Sequence, residues 1–105
     1  MALIEIGDCV FDRKQFDLTR GCESLDPVAR EAFVNHLHLA GDDAAAEANR
    51  IIESWTYEMR SRWPTRTFRI YRHVEAREIT IRFHIVRAGL PNWCERGIEV
   101  ITVSA

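Results

Sequence analysis

The segment that decides the fold is residues 68–85, with the sequence FRIYRHVEAREITIRFHI. In both halves of this segment apolar side chains recur at every second position except at Arg72, and mostly polar or basic ones lie between them. A period of two is typical of β-strands that bury one face. The pair Ala76-Arg77 separates the two runs and suits a two-residue turn. We therefore predict an antiparallel hairpin in which Tyr71 lies opposite Arg82.

This register has two unfavourable consequences. Arg72 points toward the apolar side of the sheet, and Glu75 faces Glu78 as a like-charge pair, which destabilises a sheet. A turn longer than two residues would remove both conflicts.

A long helix is predicted before Pro64, which stops it. Asp42 and Asp43 place negative charge at its start, and Arg60 and Arg62 place positive charge near its end, as the helix dipole favours. Its apolar residues recur at spacings of three and four, so they form one stripe that faces the core. The members of this stripe are Ala44, Ala48, Ile51, Ile52, Trp55, Met59 and Trp63.

A shorter helix is predicted from Asp26-Pro27 to Gly41. Asp26 suits the N-cap, and Pro27 suits the first helical position because its missing N–H would have no partner there. The apolar residues that follow near helical spacing are Val28, Phe33, Val34 and Leu37.

The N-terminal part begins with a strand at residues 3–6, and residues 9–11 form the return strand of a hairpin. Residues 12–25 are polar and irregular. Phe16 and Leu18 are expected to anchor this segment on the core.

The last strand, residues 98–103, is apolar on both faces, which places it inside the sheet or under a cover. The predicted fold is a single α+β domain over residues 1–105, in the order ββααβββ. An N-terminal strand or hairpin and three C-terminal strands form an antiparallel sheet, and two helices pack on one of its faces.

Charge is distributed unevenly along the chain. Residues 1–59 carry five basic and twelve acidic side chains, whereas residues 60–105 carry nine basic and four acidic ones. A basic half can attract an anionic partner. Acidic helices and a basic sheet can also neutralise each other within one fold, and the net charge of −2 favours this second interpretation.

The cysteines Cys9, Cys22 and Cys94 are too few, and odd in number, for the disulfide framework of a small secreted domain. Glu5 and Asp8 stand where a secretory signal needs basic residues followed by an apolar run. No stretch of sequence approaches the roughly 18 apolar residues of a membrane span. These features predict a cytoplasmic protein with reduced thiols and no contact with a membrane.

The sequence contains none of the familiar metal or catalytic motifs. His36 and His38, if they lie on a helix, point about 200° apart, and no CxxC or HExxH spacing occurs. A nucleophile elbow, a Walker loop and a dinucleotide fingerprint are also missing. We therefore expect no metal, no cofactor, no catalytic residues and no enzymatic activity.

The outer face of the predicted hairpin carries Arg69, Tyr71, His73, Arg82 and His84. Arginines beside an aromatic ring on an open sheet are suited to holding phosphates and stacking bases. RNA-binding sheets usually stack two or three bases, however, and Tyr71 is a single ring on this face. The simpler interpretation is an ordinary solvated face of a one-sided sheet.

The loop at residues 88–97 carries Trp93, the only tryptophan outside the helix stripe. Tryptophan is enriched among the residues that dominate binding energy at protein interfaces. Arg87 and Arg96 at the base of the loop would favour an acidic partner. Alternatively, Trp93 folds back and plugs the end of the sheet.

Three classes of function remain open. The favoured one is a small non-enzymatic protein-binding module of the inhibitor, immunity or adaptor type, which binds a protein partner or a second copy of itself through the sheet face and the loop at residues 88–97. The alternatives are a nucleic-acid-binding module that uses the basic face, and a small enzyme or ligand-binding domain with a pocket at an oligomer interface. The first is favoured because a chain of 105 residues shows no catalytic motif.

Overall fold

The computed structural model of the chain describes residues 1–19, 26–93 and 98–104. The elements in this part of the chain are β1 (Leu3–Ile6), β2 (Cys9–Asp12), α1 (Arg13–Leu18), α2 (Pro27–Val34), β3 (Leu37–Ala40), α3 (Ala44–Arg62), β4 (Phe68–Val74), β5 (Glu78–Ile85) and β6 (Glu99–Val103).

The main sheet has four antiparallel strands in the order β3-β5-β4-β6. The predicted α+β class with an antiparallel sheet is therefore confirmed. The predicted membership of the sheet was wrong for its N-terminal part, because the hairpin β1-β2 forms a separate two-stranded sheet. β3 takes the place in the main sheet that the prediction assigned to the hairpin.

The strand β3 arises because α2 ends earlier than its apolar spacing suggested. Asp26 caps the helix by accepting the N–H of Ala29, and Pro27 occupies the first turn, as predicted. The helix then stops at Val34 instead of continuing to Gly41. Leu37 and Leu39 alternate with polar and small residues, so the next segment pairs with β5 as a strand.

A short helix occupies part of the segment that was predicted to be irregular. Asp12 caps α1 by accepting the N–H of Gln15. Phe16 packs against the ring of Phe11, as expected of an anchor, with their centroids 5.0 Å apart. Leu18 is exposed, so its predicted anchoring role was wrong, and residues 20–25 lie outside the described part of the chain.

The apolar stripe of α3 packs on one face of the main sheet and forms the core, as predicted. The Trp55 ring meets the Phe83 ring edge-on at 4.7 Å between centroids, and Trp63 packs against Phe68. The buried sheet residues in this core include Phe68, Ile70, Ile79, Ile81, Phe83, Ile85 and Val103.

The register of the central hairpin is also confirmed, since Tyr71 lies opposite Arg82 with a two-residue turn. Nearby residues relieve both unfavourable consequences of this register. A turn of more than two residues is therefore not required. Arg72, on the α3 side, donates a hydrogen bond to the side-chain oxygen of Asn49. Each of the facing carboxylates lies close to a histidine, with Glu75 Oε1 3.5 Å from His73 Nδ1 and Glu78 Oε1 2.9 Å from His38 Nδ1.

The strand β6 lies at an edge of the main sheet, where it pairs with β4. Of the two predicted positions, inside the sheet or under a cover, the first was therefore wrong, whereas α3 does pack against one face of β6. Val103 is buried in the core and Ile101 packs partly against it, whereas Val100 is half-buried on the opposite face.

Side chains from α2 and from Asn35, the residue that caps its C-terminus, join the small sheet to the main one. The amide of buried Asn35 accepts the N–H of Asp12 at 2.8 Å and donates to the carbonyl of Val10 at 2.9 Å. The carboxylate of buried Glu31 accepts the N–H of Val10 at 2.8 Å and the N–H of Ile85 at 2.9 Å. Because β2 and the last residues of β5 do not pair directly, these two side chains supply the partners that a strand would otherwise provide.

Side chains from α3 supply hydrogen-bond partners to backbone groups at the start of β1 in the same way. Glu58 accepts the N–H groups of Ala2 and Leu3 at 3.2 and 3.1 Å, and Arg62 donates to the carbonyl of Leu3 at 2.6 Å. The hairpin is thus hydrogen-bonded along both of its edges by helix side chains.

Candidate protein-binding surface

The face of the main sheet opposite α3, called the outer face below, carries the basic set predicted from sequence alternation. The pairing of β4 with β5 places Arg69 opposite His84, Tyr71 opposite Arg82, and His73 opposite Thr80. Since the neighbouring residues of both strands are buried against α3, all of these side chains belong to the outer face.

Two members of this set are buried, which corrects the expectation of an open basic face. Tyr71 is 1% exposed and His84 is 0% exposed. The Tyr71 hydroxyl lies 2.8 Å from Nε2 of His84, and Nδ1 of His84 lies 2.9 Å from the carbonyl oxygen of Ile85. A carbonyl can only accept, so Nδ1 carries the proton and Nε2 accepts from the tyrosine.

Trp93 covers this buried pair. Its ring meets the Tyr71 ring edge-on at 5.2 Å between centroids, and its backbone N–H lies 3.3 Å from Nε2 of His84. The guanidinium carbon of Arg82 lies 4.0 Å from the centroid of the Trp93 ring. Trp93 nevertheless keeps 38% of its surface exposed. The sequence suggested either an exposed Trp93 or one that folds back onto the sheet. Each describes part of its position, because one side of the residue packs on the sheet and the other faces solvent.

Burial lowers the pKa of His84 below the ordinary histidine value, and the nearby Arg69 and Arg87 lower it further. The hydrogen bond to Ile85 acts in the opposite direction. The neutral form agrees with the geometry, because the Tyr71 hydroxyl and the Trp93 N–H both point at Nε2. A proton on Nε2 would lie against the Trp93 N–H and would require the Tyr71 hydroxyl to turn and accept.

The remaining basic side chains of the outer face make contacts within the chain. Arg82 donates to the carbonyl of Ala32 in α2 at 3.1 Å, and the Arg69 guanidinium lies 5.6 Å from the centroid of the Tyr71 ring. Both arginines are half-buried. Neighbouring groups thus hold both guanidinium groups in place on the outer face.

Arg87 is not an exposed residue at the base of the loop, as the sequence had suggested. Its side chain is 14% exposed, and Nη1 lies 2.6 Å from Oε1 of Glu31. Nη2 donates to the carbonyl of Asp8 at 3.0 Å. Arg87 therefore joins β5 to the small sheet, and no local signal reveals this because Glu31 is 56 positions away. Arg96 lies outside the described residues.

His36 and His38 do not lie on a helix, in contrast to the sequence prediction. His38 lies on β3 and His36 just before it, so a period of two places both on one side, with ring centroids 5.1 Å apart. Even so, residues 1–19, 26–93 and 98–104 contain no group of three potential ligands arranged to hold a metal ion. Burial raises the pKa of the Cys9 thiol to about 11, while Cys22 and Cys94 lie outside these ranges.

A cavity of about 520 Å³ lies between α1 and α3, and sequence reasoning missed it. Leu37, Ile51 and Trp55 form much of its apolar wall. The carboxylate of Asp12 also lines it, but this group accepts the N–H of Gln15 and the indole N–H of Trp55 at 3.1 and 3.3 Å. The cavity is therefore an apolar recess whose buried carboxylate is already hydrogen-bonded.

No protein-family model matches the sequence, and comparisons with curated proteins and with solved structures gave no match. Among the helices of the described residues, none has the length and apolar character required to cross a membrane.

Proposed function

We propose that this chain is a small non-enzymatic protein-binding module of the inhibitor, immunity or adaptor type, which binds an acidic segment of its partner at Trp93. The observation that carries the proposal is the position of Trp93, which is partly exposed and held by Tyr71, His84 and Arg82.

The energetic argument rests on preorganisation. Binding usually requires the ordering of interface side chains, at a cost of about 0.5–1.5 kcal/mol for each flexible one. Ring contacts and a backbone hydrogen bond already hold Trp93, so a partner can bury its exposed side with little further ordering. Truncation of such an anchor typically costs about 2 kcal/mol or more of binding free energy.

The basic side chains of the outer face support the choice of an acidic partner. The Arg82 guanidinium stacks on the Trp93 ring. The Arg69 guanidinium lies beside the Tyr71 ring, on which Trp93 packs. An acidic side chain that packs along the Trp93 ring would lie close to the Arg82 guanidinium, which favours carboxylates and increases the association rate at low salt. The same charges would disfavour a basic partner.

The test compares capture of proteins from a lysate of the source cells by three forms of the immobilised chain. We expect the parent and Phe33→Ala to retain the same partner, because Phe33 is another exposed aromatic residue on a different element, α2. Trp93→Ala should lose that partner, and added salt should weaken its capture by the parent. Circular dichroism must show that all three forms are folded.

Two results would reject the proposal. One is that every protein captured by the parent is also captured by folded Trp93→Ala. The other is that nuclease treatment removes the captured material, which would indicate a nucleic acid bridge.

A nucleic-acid-binding module is the second candidate, and the arginines beside Trp93 on the outer face favour it. The burial of Tyr71 disfavours it, since that ring is not accessible to a base. A gel shift with mixed oligonucleotides at low ionic strength tests this candidate. Arg69→Ala combined with Arg82→Ala should flatten the salt dependence of any binding. We expect no shift.

A further inference from the structure

The outer edge of β6 has no strand partner within the described residues. Natural edge strands are usually protected by lysine, proline, a bulge or a covering segment. β6 instead carries the β-branched run from Val100 to Val103, and its single charge, Glu99, lies at its first position. Such an edge is a template for another strand.

The free edges of other strands in the described residues are hydrogen-bonded by side chains or flanked by charge. Glu58 and Arg62 hydrogen-bond the edge of β1, and Glu31 and Asn35 do the same for β2 and the end of β5. The opposite edge of the main sheet, β3, has four residues and is followed closely by exposed Asp42 and Asp43, which would repel a second copy. β6 is the longer edge, and no pair of acidic residues follows it as Asp42 and Asp43 follow β3.

The sequence of β6 is self-complementary in an antiparallel pair centred on Ile101. Ile101 then lies opposite its own counterpart, and Val100 lies opposite Thr102 of the partner subunit. The two Glu99 side chains fall at opposite ends of the pair, so no like charges face each other. β-branched residues that pair across strands stabilise a sheet.

The helix above this edge has a matching self-complementary surface. Glu53 and Arg60 are exposed, oppositely charged and seven residues apart, so they lie on one side of α3. Asn49, on the same side, contacts Arg72 of β4, the strand beside β6, and α3 also packs against β6. Within the described residues neither Glu53 nor Arg60 forms an ion pair.

Between these two charges the helix presents a shallow groove of about 460 Å³ and the side chain of Tyr57, which is 76% exposed. A two-fold axis that passes between Thr56 and Tyr57 pairs each Glu53 with Arg60 of the partner subunit. Self-complementarity of this kind is what a two-fold interface requires.

We propose that two copies of the chain pair through β6 to form a two-fold dimer with a continuous eight-stranded sheet, and that Glu53 of each α3 binds Arg60 of the partner subunit. The strand pair alone is short, whereas stable interfaces bury more than about 1,000 Å² in total. The α3 surface, with the groove and Tyr57, supplies the additional contact. The contact between Glu53 and Arg60 lies on the α3 side of the sheet and Trp93 on the opposite side, so the charge exchange tests this proposal independently of the Trp93 site.

The test is a charge exchange read by light scattering after size exclusion and by sedimentation over a range of protein concentrations. The parent should be a dimer at high concentration. Glu53→Lys and Arg60→Glu should each weaken the dimer by about tenfold, because each places like charges at both symmetric contacts. The double exchange should restore the parent affinity, and Arg77→Glu, an exposed arginine in the β4–β5 turn, should leave it unchanged.

Hydrogen exchange provides a second measurement that requires no substitution. The amides of β6 should be more protected at high protein concentration than at low concentration, whereas those of β3 should be unaffected. A chain that stays monomeric at all concentrations would overturn the proposal. A dimer whose affinity is unchanged by Glu53→Lys and by Arg60→Glu would overturn it as well. So would a dimer in which the β6 amides gain no protection from hydrogen exchange.

Discussion

His84 should make the stability of this protein depend on pH, through the contacts that hold Trp93. Acidification is the perturbation. A proton on Nε2 of His84 would face the hydroxyl of Tyr71 and the backbone N–H of Trp93, both of which donate to that nitrogen in the neutral state. The folded protein therefore resists protonation, and the pKa of His84 lies below its ordinary value of 6.5 because of burial, Arg69 and Arg87.

The sign and size of the effect follow from linkage. A histidine whose pKa is lowered in the folded state contributes its full stability above the unfolded value, and that contribution is lost as the pH falls below about 6.5. The slope is at most about 1.4 kcal/mol per pH unit for one group. Acidification from neutral pH to about 5 can then lower the free energy of unfolding by as much as about 2 kcal/mol.

The assay is urea unfolding followed by circular dichroism at several pH values, with the parent compared to His84→Gln. Glutamine keeps an acceptor but does not titrate, so the parent should lose stability on acidification relative to the variant. Burial raises the pKa of Glu31, so Glu31 changes the free energy of unfolding with pH in the opposite direction. Subtracting the unfolding free energy of the variant from that of the parent removes this contribution, because both proteins contain Glu31. His38→Gln is the comparison variant, because it removes an exposed histidine that contacts Glu78 instead of Tyr71 and Trp93.

A difference between the parent and His84→Gln that stays constant from neutral pH to about pH 5 would refute this account of His84. Loss of the slope in His38→Gln would also refute it, because the titrating group would then lie on the surface.

The other predictions concern the core, the link between the sheets, and the exposure of individual side chains. Ile81→Asp should unfold the domain, because it places a carboxylate without a partner against α3, and a thermal melt like that of the parent would contradict the assigned core. Asn35→Ala should lower the free energy of unfolding by about 2–4 kcal/mol, since buried groups of β2 lose their partners. Asn49→Ala, at an exposed site, should change it far less in the same urea titration. Cys9 should react with iodoacetamide at neutral pH only after unfolding, because the thiol is buried and its pKa is about 11, and mass spectrometry of the labelled peptide reports this. Iodide should quench a smaller fraction of the tryptophan fluorescence in Trp93→Phe than in the parent, because Trp55 and Trp63 are buried.

Local pattern determined much of the architecture. The period of two in residues 68–85 predicted β4, β5 and their register, and the spacing of three and four before Pro64 predicted α3 together with its buried side. Asp26 and Pro27 identified the start of α2. These features depend on interactions between residues near one another in the chain, which is why the sequence alone was sufficient for them.

Tertiary structure decided where the polar groups go. Alternation assigned Tyr71 and His84 to the outer face, but it gave no indication that Trp93 packs over them or that both are buried. Arg87 was expected at a surface loop and instead pairs with Glu31, 56 positions away. The end of α2 was likewise not visible locally, because the amide of Asn35 bonds groups of β2 that are more than twenty positions distant. A buried polar group must find its partner wherever the fold brings one, and neither residue type nor local spacing contains that information.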